Sequence, residues 1–108
     1  MQQYKIMRMI CMFDLPVDTE EEKRAYRNFR KNLLKEGFIM IQYSIYVRVC
    51  PNRDFGKRLE KRIMQFVPKR GNIRLLMVTE KQYSDMKLLV GSRQLKEEVV
   101  GVERMIII

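Results

Sequence analysis

The residue best placed to do chemistry is Asp14, which follows a long apolar segment and directly precedes Leu15-Pro16. A carboxylate at this position stands at the end of a rigid strand where a loop begins, and ligand-binding groups commonly occupy such strand ends. An Asp before a proline-containing turn is also ordinary turn chemistry or an early helix cap. The position alone leaves both interpretations open.

The chain has no histidine, so the commonest general base and the commonest zinc ligand are both missing. Any phosphodiester hydrolysis would then depend on carboxylates, on a metal-bound water, or on both. One Asp does not fill the oxygen shell of magnesium, but that ion keeps several waters and can be bound through one or two carboxylates. A two-fold dimer axis would supply the second carboxylate as Asp14 of another copy.

Positive charge is in large excess, with 22 Lys and Arg against 13 Asp and Glu and a net charge of +9. Such an excess most often attracts phosphates, although it can also serve solubility alone. The basic residues are concentrated in two sets, Lys23–Lys35 and Arg53–Arg74. The predicted nucleic-acid-binding residues are Arg24, Arg27, Arg30, Lys31, Lys57, Arg58, Lys61, Arg62, Lys69 and Arg70.

No helix-turn-helix, zinc-finger or aromatic ribonucleoprotein motif is present, so we expect contact with the nucleic-acid backbone and not sequence-specific readout. Tyr43, Ser44 and Tyr46 lie near a tight turn and could stack on bases or bond phosphates. Tyrosine on a strand is more often half-buried packing, which is the competing interpretation.

The elements that must position these residues have the order β-α-β-β-α-β. Capping residues and Gly37 delimit the first helix, and apolar residues at steps of four, four and three define the second. The predicted elements are a strand Tyr4–Phe13, a helix Thr19–Glu36, strands Phe38–Gln42 and Ser44–Cys50, a helix Arg53–Val67 and a strand Asn72–Thr79.

We therefore predict an α+β, ferredoxin-like sandwich with an extra C-terminal strand, as a homodimer and a single domain over residues 1–108. Its core spans about residues 4–79. Residues 80–108 form an extension for dimer and partner contacts, with a helical turn near Lys81–Met86 and a last strand Val102–Ile108. The first strand is apolar on both faces, so a second copy is expected to cover the face that the helices leave open.

Cys11 and Cys50 both lie within apolar segments, which predicts free, buried thiols in a reducing compartment. No apolar segment approaches the roughly 20 residues of a membrane helix, and the N-terminus lacks a signal-peptide cleavage pattern. The predicted localisation is cytoplasmic, without membrane contact.

Several motifs together resemble those of a known family. They are Phe13-Asp14-Leu15-Pro16, a helix carrying Arg24 and Arg27, Gly37 followed by Ile41–Tyr46, and Thr79-Glu80-Lys81-Gln82. Over nearly its whole length the chain resembles the small CRISPR-associated adaptation nuclease, the Cas-two family, and most closely its type II-A versions.

This resemblance implies a homodimer whose two Asp14 carboxylates face each other as a magnesium or manganese site for cleaving RNA or DNA. It also implies a structural role, which we rank higher, in which the dimer sits between two dimers of the CRISPR integrase and contacts the prespacer duplex. Phe13 stands where many members have Tyr, and Met40 where some carry Arg, which favours the structural role. The implied integrase-docking residues are Arg104, Met105, Ile106, Ile107 and Ile108.

Two alternatives share the same fold. One is a toxin-like, RNA-cleaving interferase, and the other is a basic RNA-binding protein without catalytic activity. Growth arrest on expression would favour the first, and a preference for RNA over duplex DNA would favour the second.

Overall fold

The first apolar segment forms a central strand of a four-stranded antiparallel sheet. The computed structural model describes residues 6–92. Its elements are β1 (Met7–Asp14), α1 (Glu20–Lys35), β2 (Ile39–Gln42), β3 (Ile45–Cys50), α2 (Arg53–Met64), β4 (Asn72–Thr79) and α3 (Glu80–Ser84). The strand order β2-β3-β1-β4 confirms the ferredoxin-like α+β fold. The predicted C-terminal strand and Arg104–Ile108 lie outside the described residues.

Both long helices begin at the capping residues that their sequences contain. The Thr19 hydroxyl accepts from the Glu22 amide at 3.1 Å, and the Glu22 carboxylate accepts from the Thr19 amide at 3.0 Å. Asn52 caps α2 by accepting from the Phe55 amide at 2.7 Å. The second helix ends at Met64 and not at Val67 as predicted. Val67 itself precedes Pro68, and a residue before proline disfavours helical backbone. Within residues 6–92, no helix has the length and apolar character needed to cross a bilayer.

The hydrophobic core lies between the two long helices and one face of the sheet. Alternation along β1 places its odd-numbered residues on this face, and they pack against buried apolar residues of α1 and α2. The fully buried members from the helices are Phe29, Leu33, Leu59 and Ile63. Free Cys11 and Cys50 are buried in the same layer, as predicted, and burial raises the pKa of the Cys11 thiol to about 12.

The opposite face of the sheet is closed only in part. Arg8, Val47 and Val49 are buried there, whereas Ile10 and Met12 are half-buried. The short helix α3 covers Arg8, whose guanidinium binds both oxygens of the Glu80 carboxylate at 2.6 and 3.3 Å. The first strand is therefore fully buried on one face and covered at one end of the other.

Candidate functional site

Asp14 is the last residue of the central strand, and its side chain is exposed. Its backbone pairs with Asn72 of β4, and on the other side the Phe13 amide donates a 3.0 Å hydrogen bond to the Ser44 carbonyl. Across the described range 6–92, the carboxylate forms neither a hydrogen bond nor an ion pair. The sheet thus holds the end of β1 between two neighbours and leaves the Asp14 carboxylate available to a ligand.

An aromatic cluster around Phe13 determines which way Asp14 faces. The Phe13 ring lies 5.1 Å from Phe29 and 6.0 Å from Tyr26 in edge-on contacts, and it stacks on Tyr46 at 5.6 Å. Since successive side chains alternate across a strand, burial of Phe13 under α1 places Asp14 on the opposite face. The residue before the carboxylate therefore belongs to the core.

Gly71 lies against the backbone of the same strand end. Its φ is +104°, and a Cβ atom there would stand 2.8 Å from the Asp14 carbonyl oxygen and 3.2 Å from the Leu15 Cα. Only glycine permits this approach. The contact brings the loop that carries Lys69 and Arg70 to the Asp14 end of the sheet.

The turn between β2 and β3 lies at this end as well, and it is as tight as predicted. Ser44 adopts a φ of 65°, and Tyr43 is 87% exposed at the tip. Tyr46, in contrast, is 1% exposed and belongs to the core. Burial raises the pKa of Tyr46, and the neighbouring Arg30 guanidinium partly offsets that rise. Of the three turn residues considered for base contacts, Tyr46 is thus unavailable.

Two polar residues of β4 that sequence reasoning missed lie beside Asp14. Asn72 is its direct partner in the strand pairing, and Arg74 is opposite Met12. Ile73 and Leu75 pack against the core, so alternation places Asn72 and Arg74 on the face of Asp14. The strand Asn72–Thr79 was predictable, but its register against β1 was not.

The ten basic residues predicted to bind nucleic acid are all exposed. Lys69 and Arg70 lie in the loop at the Asp14 end, and the other eight lie on α1 and α2, which cover the other face of the sheet. Arg62 pairs with Glu36 at 3.0 Å, and Arg70 approaches Glu22 at 3.7 Å. The structure therefore separates most of the basic surface from the Asp14 carboxylate by the thickness of the sheet.

Two of the ten predicted residues, Arg58 and Arg62, also belong to a structural cluster around Phe55, which Arg48 joins. Arg48 stacks on the Phe55 ring at 4.5 Å and donates from Nε to the Glu36 carbonyl at 2.8 Å. Arg58 and Arg62 lie 5.9 and 6.0 Å from the same ring. Because cation–π contacts hold these guanidiniums near the protein surface, Arg58 and Arg62 are less free than the lysines of α2.

A single chain provides an incomplete metal site. Within residues 6–92, no group of three acidic, Cys or His side chains is close enough to hold a metal ion. Asp14 offers one carboxylate and Asn72 one amide oxygen, which are ligands that suit magnesium when waters complete the shell. The donor set fits the ion in chemical type, and a second carboxylate would have to come from another copy.

The fold and site together define a small ferredoxin-like protein with an available carboxylate at a strand end and a basic helical layer. Residues 7–86 match the family described as CRISPR associated protein Cas2, and the chain belongs to that family. The family indicated by the sequence motifs is thereby confirmed.

Two curated relatives illustrate how close this match is, and both are named CRISPR-associated endoribonuclease Cas2. The protein of Ligilactobacillus salivarius is 54% identical over 102 residues, which cover 94% of this chain and 100% of the relative. The protein of Streptococcus mutans serotype c is 53% identical over 87 residues, which cover 81% and 80% of the two chains. A solved structure titled "Crystal structure of cas2" aligns with a TM-score of 0.56 at 20% identity, covering 83% of this chain and 91% of that one, and supports the fold alone.

Proposed function

We propose that the chain acts in CRISPR adaptation as a homodimer that binds duplex DNA and bridges integrase dimers. A magnesium-dependent endonuclease activity on RNA or DNA would be carried by paired Asp14 residues. The observation that supports this most directly is the Asp14 carboxylate at the end of the central strand, which has no hydrogen-bond or ion-pair partner within residues 6–92. A carboxylate without such a partner in the described residues, at the end of a strand that is hydrogen-bonded on both sides, is suited to hold a ligand.

Nucleic-acid binding is supported by the exposed cations of the helical layer. Arg24, Arg27, Lys31, Lys57 and Lys61 have no ion-pair partner within residues 6–92. Contacts of this kind read the shape and charge of the backbone and release counterions when they form. Binding should therefore weaken steeply as the salt concentration rises.

Dimerisation is supported by the apolar residues that remain on the second sheet face. Leu76 is 50% exposed, and Ile10, opposite it in the pairing of β1 with β4, is only half-buried. In the loop after α3, Leu89 and Val90 are 88% and 90% exposed. A second copy packed on this face across a two-fold axis would cover these residues and bring two Asp14 carboxylates together.

In such a dimer, the two Asp14 carboxylates would hold magnesium or manganese, and Asn72 would stand beside each of them as its strand partner. The ion supplies Lewis-acid activation of water and neutralisation of phosphate charge. The residues of the chain itself orient the carboxylates through the Phe13 cluster and keep them accessible. Docking of the integrase is assigned to Arg104–Ile108, which lie outside the described residues.

The test compares wild type, Asp14→Asn and the matched control Asp18→Asn, an exposed loop residue close in sequence to the site. Each protein is incubated with labelled duplex DNA or single-stranded RNA, with magnesium or a chelator, and binding and cleavage are scored together. We expect salt-sensitive duplex binding by all three proteins. We also expect magnesium-dependent cleavage by wild type and Asp18→Asn only.

Other outcomes discriminate between the functions. If all three proteins bind the duplex and none cuts, the adaptor role stands and the nuclease role fails. Equal cleavage by Asp14→Asn would assign the activity to a contaminant. Binding of RNA in strong preference to duplex DNA would favour the non-catalytic RNA-binding alternative, and growth arrest on expression would favour the interferase.

A further inference from the structure

The neighbouring strand β4 places a guanidinium on the same face and at the same end as the Asp14 carboxylate. Asn72 is opposite Asp14, and Arg74 is opposite Met12, two residues back along β1. Arg74 is therefore the diagonal cross-strand neighbour of Asp14, at a backbone separation of roughly 7–8 Å. A long arginine side chain can reach a group bound at Asp14 from this position.

Arg74 differs from the other strand arginine on this face. Arg8 is 3% exposed and its charge is balanced by Glu80, so it serves packing. Arg74 is exposed and has no ion-pair or hydrogen-bond partner in the described residues. Its strand neighbours on this face are Leu76 and Asn72, which leave its charge unbalanced.

A carboxylate site that acts on a phosphodiester needs positive charge close by, because both the site and the substrate are negative. The basic residues of α1 and α2 lie on the opposite layer, and Lys69 and Arg70 lie in the loop beyond the strand end. On the sheet face of Asp14 itself, the cation that the strand register places beside it is Arg74. The planar guanidinium of an arginine such as Arg74 can donate two parallel hydrogen bonds to phosphate oxygens, and the Asn72 amide can donate a further one.

We infer that Arg74, assisted by Asn72, binds the phosphate of the nucleic acid on which Asp14 acts. This inference rests on the proposed function and adds a substrate-binding residue to that site. The competing role for Arg74 is an ion pair with Asp14 of the second copy, which would make it a dimer contact.

The variants that test the inference are Arg74→Gln, Arg74→Lys and the charge-matched control Lys81→Gln, at an exposed residue of α3 that is paired with Asp85. Single-turnover cleavage is measured at saturating 12-nucleotide RNA and 30-base-pair DNA with magnesium. Affinity is measured by fluorescence anisotropy in chelator, and the oligomeric state by sedimentation. We expect Arg74→Gln to slow cleavage by about 100-fold. Its affinity should fall only several-fold, because many other cations contribute to binding.

Arg74→Lys should restore part of the rate, since lysine keeps the charge and loses the two-point contact. Lys81→Gln should cleave as wild type does. An independent measurement is the NMR resonance of the Arg74 Nε–H group, assigned by its loss in Arg74→Lys. It should shift when the RNA is added in chelator, where no cleavage takes place.

The outcomes separate this inference from the proposed function. Cleavage by Arg74→Gln at the wild-type rate would overturn the inference and leave the proposed nuclease role standing. If wild type binds RNA without cleaving it, the nuclease role fails, and the NMR resonance then decides: an unmoved signal overturns the inference, and a moved one supports it. Loss of the dimer in Arg74→Gln, with an unmoved signal in wild type, would assign Arg74 to the ion pair with the second copy.

Discussion

The guanidinium of Arg8, buried on the second face of the sheet, binds the Glu80 carboxylate of α3 in a two-point ion pair, with its shorter contact at 2.6 Å. The same guanidinium lies 4.2 Å from the centre of the Tyr83 ring. One side chain thus joins the central strand to the helix that follows the last described strand. The packing of α3 against β1 depends on this pair.

Loss of the carboxylate should destabilise the fold, because Glu80→Gln leaves the Arg8 charge buried without a counter-ion. We expect the free energy of unfolding to fall by about 2 kcal/mol, which is less than for a fully buried pair because Glu80 is 30% exposed. Replacing both residues, as Arg8→Met with Glu80→Gln, should recover part of that loss. Urea denaturation of the two variants measures the difference.

The control lies on the same helix, where Lys81 and Asp85 form an exposed ion pair at 3.3 Å. Lys81→Ala should change the free energy of unfolding by less than about 0.5 kcal/mol. Equal effects of Glu80→Gln and Lys81→Ala would contradict the structural role of Arg8.

A methyl group at Gly71 should disturb the Asp14 end of the sheet, whereas one at Gly91 should not. Both glycines have positive φ, but a Cβ at Gly71 would meet the Asp14 carbonyl at 2.8 Å, and the nearest atom to one at Gly91 is 4.0 Å away. We expect Gly71→Ala to cost about 3 kcal/mol, as backbone strain plus overpacking, and Gly91→Ala about 1 kcal/mol. Thermal and urea unfolding compare them, and similar losses would mean that the loop relaxes away from Asp14.

Stability should decline at alkaline pH because burial raises the pKa of the Cys11 thiol from 9.0 to about 12. Between these values the folded state keeps a proton that the unfolded state has lost, so stability present below pH 9 is lost as the pH rises. The expected slope from this group is about 1.4 kcal/mol per pH unit. Burial also raises the pKa values of Cys50 and Tyr46, which adds in the same direction.

The measurement is the free energy of unfolding of wild type and Cys11→Ala at several pH values between 7 and 11. Cys11→Ala should be less stable at neutral pH through lost packing, but its stability should fall less steeply above pH 9. Parallel curves for the two proteins would show that Cys11 does not contribute to the alkaline transition.

Exposed cations should differ in their contribution to DNA binding according to whether they are already paired. Arg27 has no ion-pair partner in the described part of the chain, while Arg62 is paired with Glu36 and lies beside Phe55. Arg27→Gln should reduce the slope of log affinity against log salt by about 1, and Arg62→Gln by less. Titrations of a DNA duplex between low and physiological salt give both slopes. A larger change in slope for Arg62→Gln would show that Arg62, and not Arg27, is the stronger phosphate contact.

The elements could be predicted from sequence where local signals are strong. The strand Asn72–Thr79 has the predicted bounds, and α1 was predicted to within one residue at each end, because Thr19 caps it and Gly37 follows it. The end of α2 was placed too late because Phe66 continues the apolar periodicity. In the structure Phe66 packs against the core from beyond the helix.

The site could be predicted only in part. Asp14 was identified because its position follows from one strand and one turn, both local features. Arg74 and the pair of Arg8 with Glu80 depend on register and packing between segments far apart in sequence, which no local pattern encodes. The contacts of arginines with Phe55 and Glu36 could not be predicted from the number of charged residues for the same reason.

The pairing of β1 with β4, which runs from Met7 opposite Thr79 to Asp14 opposite Asn72, has a consequence for biosynthesis. The β2–β3 hairpin can form as soon as it leaves the ribosome, but one edge of β1 stays unpaired until residues 72–79 have been synthesised. Long-range pairings of this kind slow folding and leave a bare strand edge that can join another chain. The nascent protein is thus most vulnerable to aggregation in the interval before residue 79 emerges.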